Sequence, residues 1–237
     1  MIMLKNELKH TIRSFVGLYP ELFFPLVQLK NSKFRAVSQD TEICIEGFPR
    51  SGNSFAVGAF TAAQVNPVKI AHHFHVPAQI ISAARQNIPT LVLIRNPADA
   101  VISLRALDLQ MTDVRPPRLP RMSSTLKYYI EFYQRILPYQ DRYIVCEFEE
   151  VKSDFGKLIE KLNKKFDKNF SGFSHTEEKV NEVFASRGVH ASPSQKRQEI
   201  KQLIQKELET SKMEKLINRA KAVYNSFEVI AQNQKML

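Results

Sequence analysis

Between Thr41 and Leu107 short apolar runs alternate with longer helical patterns. "TEICIEGF" reads as a strand running into a glycine loop, and "NSFAVGAFTAAQ" as the helix that leaves the loop. "VKIAHHF" reads as a second strand, followed by the helical "PAQIISAARQN", with Pro77 in a first turn, where proline is tolerated. "PTLVLIR" is a continuous apolar strand with a charged end, and "PADAVISLRAL" opens the next helix on a proline. Three strand–helix units in succession predict an α/β fold, a parallel sheet flanked by helices.

Beyond Leu107 the pattern changes. "DLQMTDVRPPRLPRMS" is proline-rich and basic, hence a loop, and "STLKYYIEFYQRIL" is a helix leading to a fourth strand, "RYIVCEF". "VKSDFGKLIEKLNKKF" has the spacing of one amphipathic helix. Residues 167–194 show no clear period and contain "SRGVHASPS", and a charged helix or helix pair runs from Gln195 to the end. At the other end "FVGLYPELFFPLVQL" is interrupted by Pro20, Glu21 and Pro25, which predicts a docked arm or a broken helix. There is no internal repeat and no low-complexity tract.

The composition narrows the classes. In 237 residues, 34 Lys and Arg stand against 24 Asp and Glu, a formal charge of +10, which favours a negatively charged partner or a solvated basic surface. No apolar run reaches the length of a transmembrane helix, and the charged start of the chain does not resemble a secretory signal. Cys44 and Cys146 lie inside apolar strand patterns, so two buried free thiols and a cytoplasmic location are expected. They are too few for a cysteine metal site.

In open parallel sheets ligands bind beyond the carboxyl ends of the strands. That rule brings three stretches together. After strand one, "GFPRSGNS" has the outline of a phosphate-cradling loop, with Gly47 and Gly52 freeing the backbone and Ser54 closing the motif, but Asn53 stands where the phosphate lysine belongs. After strand two, "AHHFHVP" places His73 and His75 on one side of a strand and His72 on the other. No acid or cysteine lies near enough in sequence to complete a metal site with them, and His72 fits a structural role. His75, just before Val-Pro, sits where a proton acceptor belongs. After strand three, "LIRNPADAVISL" offers Arg95 at the tip and Ser103 two turns into the helix, with Asn96 as a helix cap and Asp99 favouring the helix dipole.

"FPRSGNS", a histidine followed by Val-Pro, and "RNPADAVIS", in that order and context, resemble the signature set of sulfotransferases that use 3′-phosphoadenosine 5′-phosphosulfate. The resemblance runs from Thr41 to Val183. It implies a P-loop NTPase-like sulfotransferase architecture in one domain over 1–237. Residues 1–40 would be an N-terminal arm, 41–150 the nucleotide-binding core, and 151–237 a C-terminal helical part with a lid. It also implies transfer of a sulfuryl group from that donor, without metal, to a hydroxyl or amine of a small-molecule, glycan or lipid acceptor.

Carried over, Arg50, Ser51, Gly52, Asn53 and Ser54 hold the 5′ phosphosulfate, while Arg95 and Ser103 hold the 3′ phosphate. The chain departs from the family in two places. His73 replaces the usual lysine two positions before the histidine of the second motif, so either His75 or His73 is the base. Of the late Arg-Lys-Gly segment only Arg187 and Gly188 remain, which makes Arg187 a further donor contact. A nucleotide kinase with a degenerate phosphate loop and a non-catalytic polyanion-binding module are the competing readings. No nucleic-acid partner is expected, because the aromatic residues are not interleaved with the basic runs.

Overall fold

The computed structural model describes residues 2–113, 118–187 and 195–235. Four strands, β1 (Ile43–Gly47), β2 (Ile70–His72), β3 (Thr90–Ile94) and β4 (Ile144–Glu147), form one parallel sheet in the order β2-β1-β3-β4. Both faces are covered, so inward positions alternate between two apolar layers rather than between core and solvent. Ile43 and Ile45 of β1, Leu91 and Leu93 of β3, and Ile144 and Cys146 of β4 point to one layer. Val92, Ile94 and Val145 point to the other. Each such fully buried aliphatic side chain contributes about 1.5–3 kcal/mol.

The first layer is closed by α3 (Asn53–Ala63), α8 (Phe155–Phe166) and α9 (Glu177–Arg187), and the second by α4 (Pro77–Arg85), α5 (Pro97–Gln110), α6 (Met122–Ile136), α10 (Gln195–Gln205) and α11 (Ser211–Gln234). Strand β4 lies at the edge, where open backbone groups invite further pairing. Gln234 at the end of α11 caps that edge, accepting from Val145 N–H at 2.8 Å and donating to the Tyr143 carbonyl at 3.0 Å. Cys44 and Cys146 are buried free thiols, and burial raises both pKa values.

Several elements differ from the sequence pattern for local reasons. The amphipathic run after β4 is two helices, α7 (Phe148–Ser153) and α8, because the Asp154 carboxylate accepts the Lys157 amide and starts a new helix. In the aperiodic region, α9 forms on little more than Val180, Val183 and Phe184, too short a stripe to stand out. The N-terminal arm is a broken helix, α1 (Ile2–Gly17) and α2 (Pro20–Gln28), with Pro20 starting the second piece. Buried Gln79 ties the arm to the domain through Val37 N–H and the Arg35 carbonyl.

Candidate active site

Strand β1 has β2 on one side and β3 on the other, so the chain leaves the sheet in opposite directions from the ends of β1 and β3. The crevice of an open α/β sheet lies at such a point. Gly47 is required there by contact, since a Cβ would overlap the Leu93 carbonyl oxygen. The loop then folds on the Phe48 carbonyl, which accepts from Ser51 N–H at 3.2 Å and from the Asn53 side chain at 3.0 Å. Asn53 thus acts as a brace within the loop. Arg50 (φ 71°) and Gly52 (φ 94°) take left-handed conformations to complete the turn, a strained choice for arginine. The first internal bond of α3 runs from Ala56 N–H to the Gly52 carbonyl. The amides of Asn53, Ser54 and Phe55 precede it and form the positive end of the helix, an anion-binding arrangement.

Four cations gather around this loop. Arg50 Nε donates to Ser103 Oγ at 3.2 Å, and Arg95 Nη1 donates to the Arg50 carbonyl at 2.9 Å. Arg95 also lies over the Phe148 ring at 4.0 Å, and its Nε is buried without a hydrogen-bond partner among the described residues. From α10 come Arg197, only 4% exposed and donating to Gln110 at 2.8 Å, and Lys201 one turn later. Burial, followed by repulsion from Arg197 and Arg95, lowers Arg50 to about 10. Lys201 is lowered by burial and then by Arg95, Arg197 and Arg50. Like charges held this close, partly out of water, call for an anion of more than one charge.

The histidines do not follow the strand pattern. Strand β2 ends at His72, and His73 (φ 60°) and His75 (φ 56°) both lie in the loop beyond it with left-handed backbones, so they do not share a strand face. His73 contacts Ser54 Oγ through Nε2 at 3.2 Å and His72 Nδ1 through its own Nδ1 at 2.6 Å. His75 packs its ring edge-on against His73 at 5.6 Å but hydrogen-bonds the first loop. Its Nδ1 donates to the Gly47 carbonyl at 2.8 Å, which leaves Nε2 as the acceptor nitrogen of a neutral ring. Burial, opposed by that bond, lowers its pKa to about 3.

Beneath this loop lies Glu46, 0% exposed, whose carboxylate accepts from His75 N–H. Burial raises Glu46 to about 8 against the lowering effect of the amides of His75, His73, Phe74 and Val76. Three tyrosines of α6 brace the same strand ends. Tyr128 donates to the His75 carbonyl, Tyr129 to that of Arg95 and Tyr133 to that of Leu93, all at 2.7–2.8 Å.

A cavity of about 820 Å³ opens onto these groups. Arg50, Gly52, Asn53, Ser54, His75, Arg95 and Ser103 line it, whereas Ser51 is fully buried and His73 stands behind Ser54 outside the lining. The side chain of Arg187 falls outside the described residues, as does the segment 188–194. The remaining walls include His10, Arg13 and Ser14 of α1, Leu104 and Leu107 of α5, Leu119, Tyr128, Phe148, Lys152, Val180, Phe184, and the α10 cations. The described lining contains no acidic residue. Among the described residues no group of His, Cys, Asp and Glu is placed to hold a metal ion.

The sequence reading missed Glu46, the α6 tyrosines and the pair Arg197 and Lys201. The last had a signal, two cations four apart on one helix face. The others had none, because an acid in a strand or a tyrosine in a helix has no chemistry until its neighbours are known.

No family model matches the sequence, and no curated protein sequence matches it significantly. Among solved structures the chain is similar to mouse sulfotransferase SULT7A1 complexed with PAP. The TM-score is 0.50 over 88% of this chain and 95% of that one, at 10% identity. The fold is sulfotransferase-like. At that identity the likeness speaks for the architecture, and the chemistry rests on the site itself.

Proposed function

We propose that the protein is a sulfotransferase that uses 3′-phosphoadenosine 5′-phosphosulfate and transfers the sulfuryl group to a hydroxyl or amine of an acceptor. The observation that carries this reading is the cluster of Arg50, Arg95, Arg197 and Lys201 around a glycine loop, beside a neutral His75, in a cavity whose described lining has no acid. The fold's similarity to a PAP-bound sulfotransferase supports it. The residues fit the donor, since a loop with free helical amides suits a 5′ anion and the orphaned Nε of Arg95 suits a second phosphate. We infer that Ser51 shapes the loop from beneath and that Arg197 takes the place sought for Arg187.

When bound, the donor supplies an activated sulfuryl group. The chain's part is to hold and orient two anionic ends, and to take a proton from the acceptor. His75 Nε2 is free to accept it because Nδ1 is committed to the Gly47 carbonyl. A positioned base contributes about 10²- to 10⁴-fold when its pKa lies near the working pH, and the negative charge of the bound donor would raise His75 from about 3 towards that range. His73, through Ser54, and the amides at the start of α3 favour negative charge on the 5′ side.

The deciding experiment is thermal unfolding with adenosine 3′,5′-bisphosphate in the absence of magnesium, against ATP with magnesium. The bisphosphate should stabilise by about 2.7 kcal/mol at a hundredfold excess over its dissociation constant. Strong stabilisation by ATP with magnesium, and none by the bisphosphate, would transfer the protein to the kinases.

A further inference from the structure

Most exposed large apolar side chains of the described residues come from one stretch of chain, residues 4–34. Leu4, Leu8, Ile12 and Phe15 of α1, Leu22 and Leu26 of α2, and Leu29 and Phe34 just beyond make eight of eleven, with exposures from 44% to 84%. On α1 the four recur at helical spacing and form one stripe. The opposite face of the same helix carries His10, Arg13 and Ser14 in the cavity wall. Helix α2 is apolar on both sides; Pro20, Phe23 and Val27 are buried and Phe24 is half-buried, while Leu22 and Leu26 face outward. A helix apolar all round is ordinarily buried, so this one is built for a second contact.

The charge of the region identifies the occupant. Residues 1–35 hold six Lys and Arg against Glu7 and Glu21. Both acids are engaged internally, Glu7 with Arg121 N–H and Ser124, and Glu21 with Arg85. The exposed Lys5 and Lys9 flank the α1 stripe, and Lys30 and Lys33 stand beside Leu29 and Phe34. A second copy of the chain docking by a two-fold axis would set two such positive patches against each other. An anionic surface matches them, and apolar stripes bordered by basic side chains are the composition of helices that lie in a lipid interface.

We propose that α1 and α2 dock the protein on the surface of an anionic lipid bilayer, with the leucine and phenylalanine side chains entering the headgroup region and the lysines on lipid phosphates or carboxylates. No described helix is long and apolar enough to cross a membrane, so the contact is peripheral. It also brings the α1 wall of the cavity to the bilayer.

The test is cosedimentation with vesicles of phosphatidylcholine alone and of phosphatidylcholine with phosphatidylserine. Binding should require the serine lipid and weaken with added salt. The triple substitution Leu8→Ser, Phe15→Ser and Leu26→Ser, all at exposed positions, should lower partitioning about tenfold or more while leaving the melting temperature unchanged. Lys5→Glu with Lys9→Glu should remove the preference for the anionic lipid. Arg95→Ala, in the cavity, should not affect vesicle binding, so failure of the donor assignment leaves this result standing. Absence of partitioning, or partitioning that the triple variant retains, overturns the proposal. So does a dimer in solution that the triple variant disperses, which makes the face a contact between copies.

Discussion

The two walls of the cavity are held in different ways. On the strand-end wall, Arg50, His75 and Arg95 sit on short segments whose backbone is pinned, each to another strand end or to a tyrosine of α6. On the helical wall, His10, Arg13, Arg197 and Lys201 project from α1 and α10, and the far sides of those helices leave Leu4, Leu8 and Leu203 to solvent. Arg13 reaches the Phe74 carbonyl and Arg197 reaches Gln110, but both do so at the end of a long side chain. The first wall is suited to chemistry that needs charge in a fixed place, because its geometry is set before a ligand arrives. The second wall is suited to recognition, and its contacts cost less to rearrange.

The largest test of that division is at the histidines. His75→Ala should lower single-turnover transfer by about 10²- to 10⁴-fold while bisphosphate affinity stays nearly constant, since a base acts mainly in the transition state. His73→Ala, which removes the contacts to Ser54 and His72 and the edge-on packing against the His75 ring, should cost less. A dead His73→Ala beside an active His75→Ala would move the base two positions back along the loop and undo the assignment by tautomer.

Glu46 gives the strand-end wall a pH signature. Its folded pKa is raised to about 8, so its contribution to stability is complete below the unfolded value of 4.5 and is lost as pH rises towards 8. His75 is lowered to about 3, so its contribution is complete above 6.5 and is lost as pH falls towards 3. Between 4.5 and 6.5 the two slopes oppose each other, and from 6.5 to 8 only that of Glu46 remains. Glu46→Gln should remove a fall of up to about 2 kcal/mol across that upper window, at a slope of at most about 1.4 kcal/mol per pH unit. Urea unfolding of both proteins at pH 6.5 and 8 measures it. Identical slopes would mean that Glu46 is already ionised in the fold.

The same division governs what could be read in advance. The sheet, the helices that follow β1, β2 and β3, and the loop at Gly47–Ser54 were legible because β-branched runs, proline starts and glycine spacing are local signals. The gathering of strand ends followed from topology. The α10 part of the helical wall was harder to read, since it comes from a segment 100 residues and more beyond Arg95, and the spacing of Arg197 and Lys201 marks a shared helix face without saying what that face meets. The loop histidines were misjudged for the opposite reason. An apolar run suggested that the strand continued, and the left-handed turns at His73 and His75 depend on Glu46 collecting amides from below.

A smaller effect separates the two arginines. Arg95→Ala should weaken adenosine 3′,5′-bisphosphate by about 1.5–3 kcal/mol, the scale of a lost charge-assisted hydrogen bond, and should hardly change binding of adenosine 5′-monophosphate. Arg197→Ala should weaken it by less, because a cation on a docked helix is less firmly aimed than one at a strand tip. Calorimetry with both nucleotides decides the order. A larger loss for Arg197 would mean that α10, and not the end of β3, holds the second phosphate.

The smallest prediction asks how much of the strand-end geometry comes from α6. Tyr128 donates to the His75 carbonyl at 2.8 Å, and its ring packs edge-on against His10 at 5.5 Å, so it touches both walls. Tyr128→Phe keeps the ring and removes the donor. Leaving that carbonyl without its partner should cost about 1 kcal/mol of stability, within the ordinary range for one hydrogen bond. If the bond also aims the imidazole, turnover should fall several-fold with acceptor KM unchanged, since the ring still fills the wall. A rise in KM with kcat unchanged would instead place Tyr128 on the recognition side, through its contact with His10. The split between kcat and KM in this one variant therefore assigns the residue to one wall or the other.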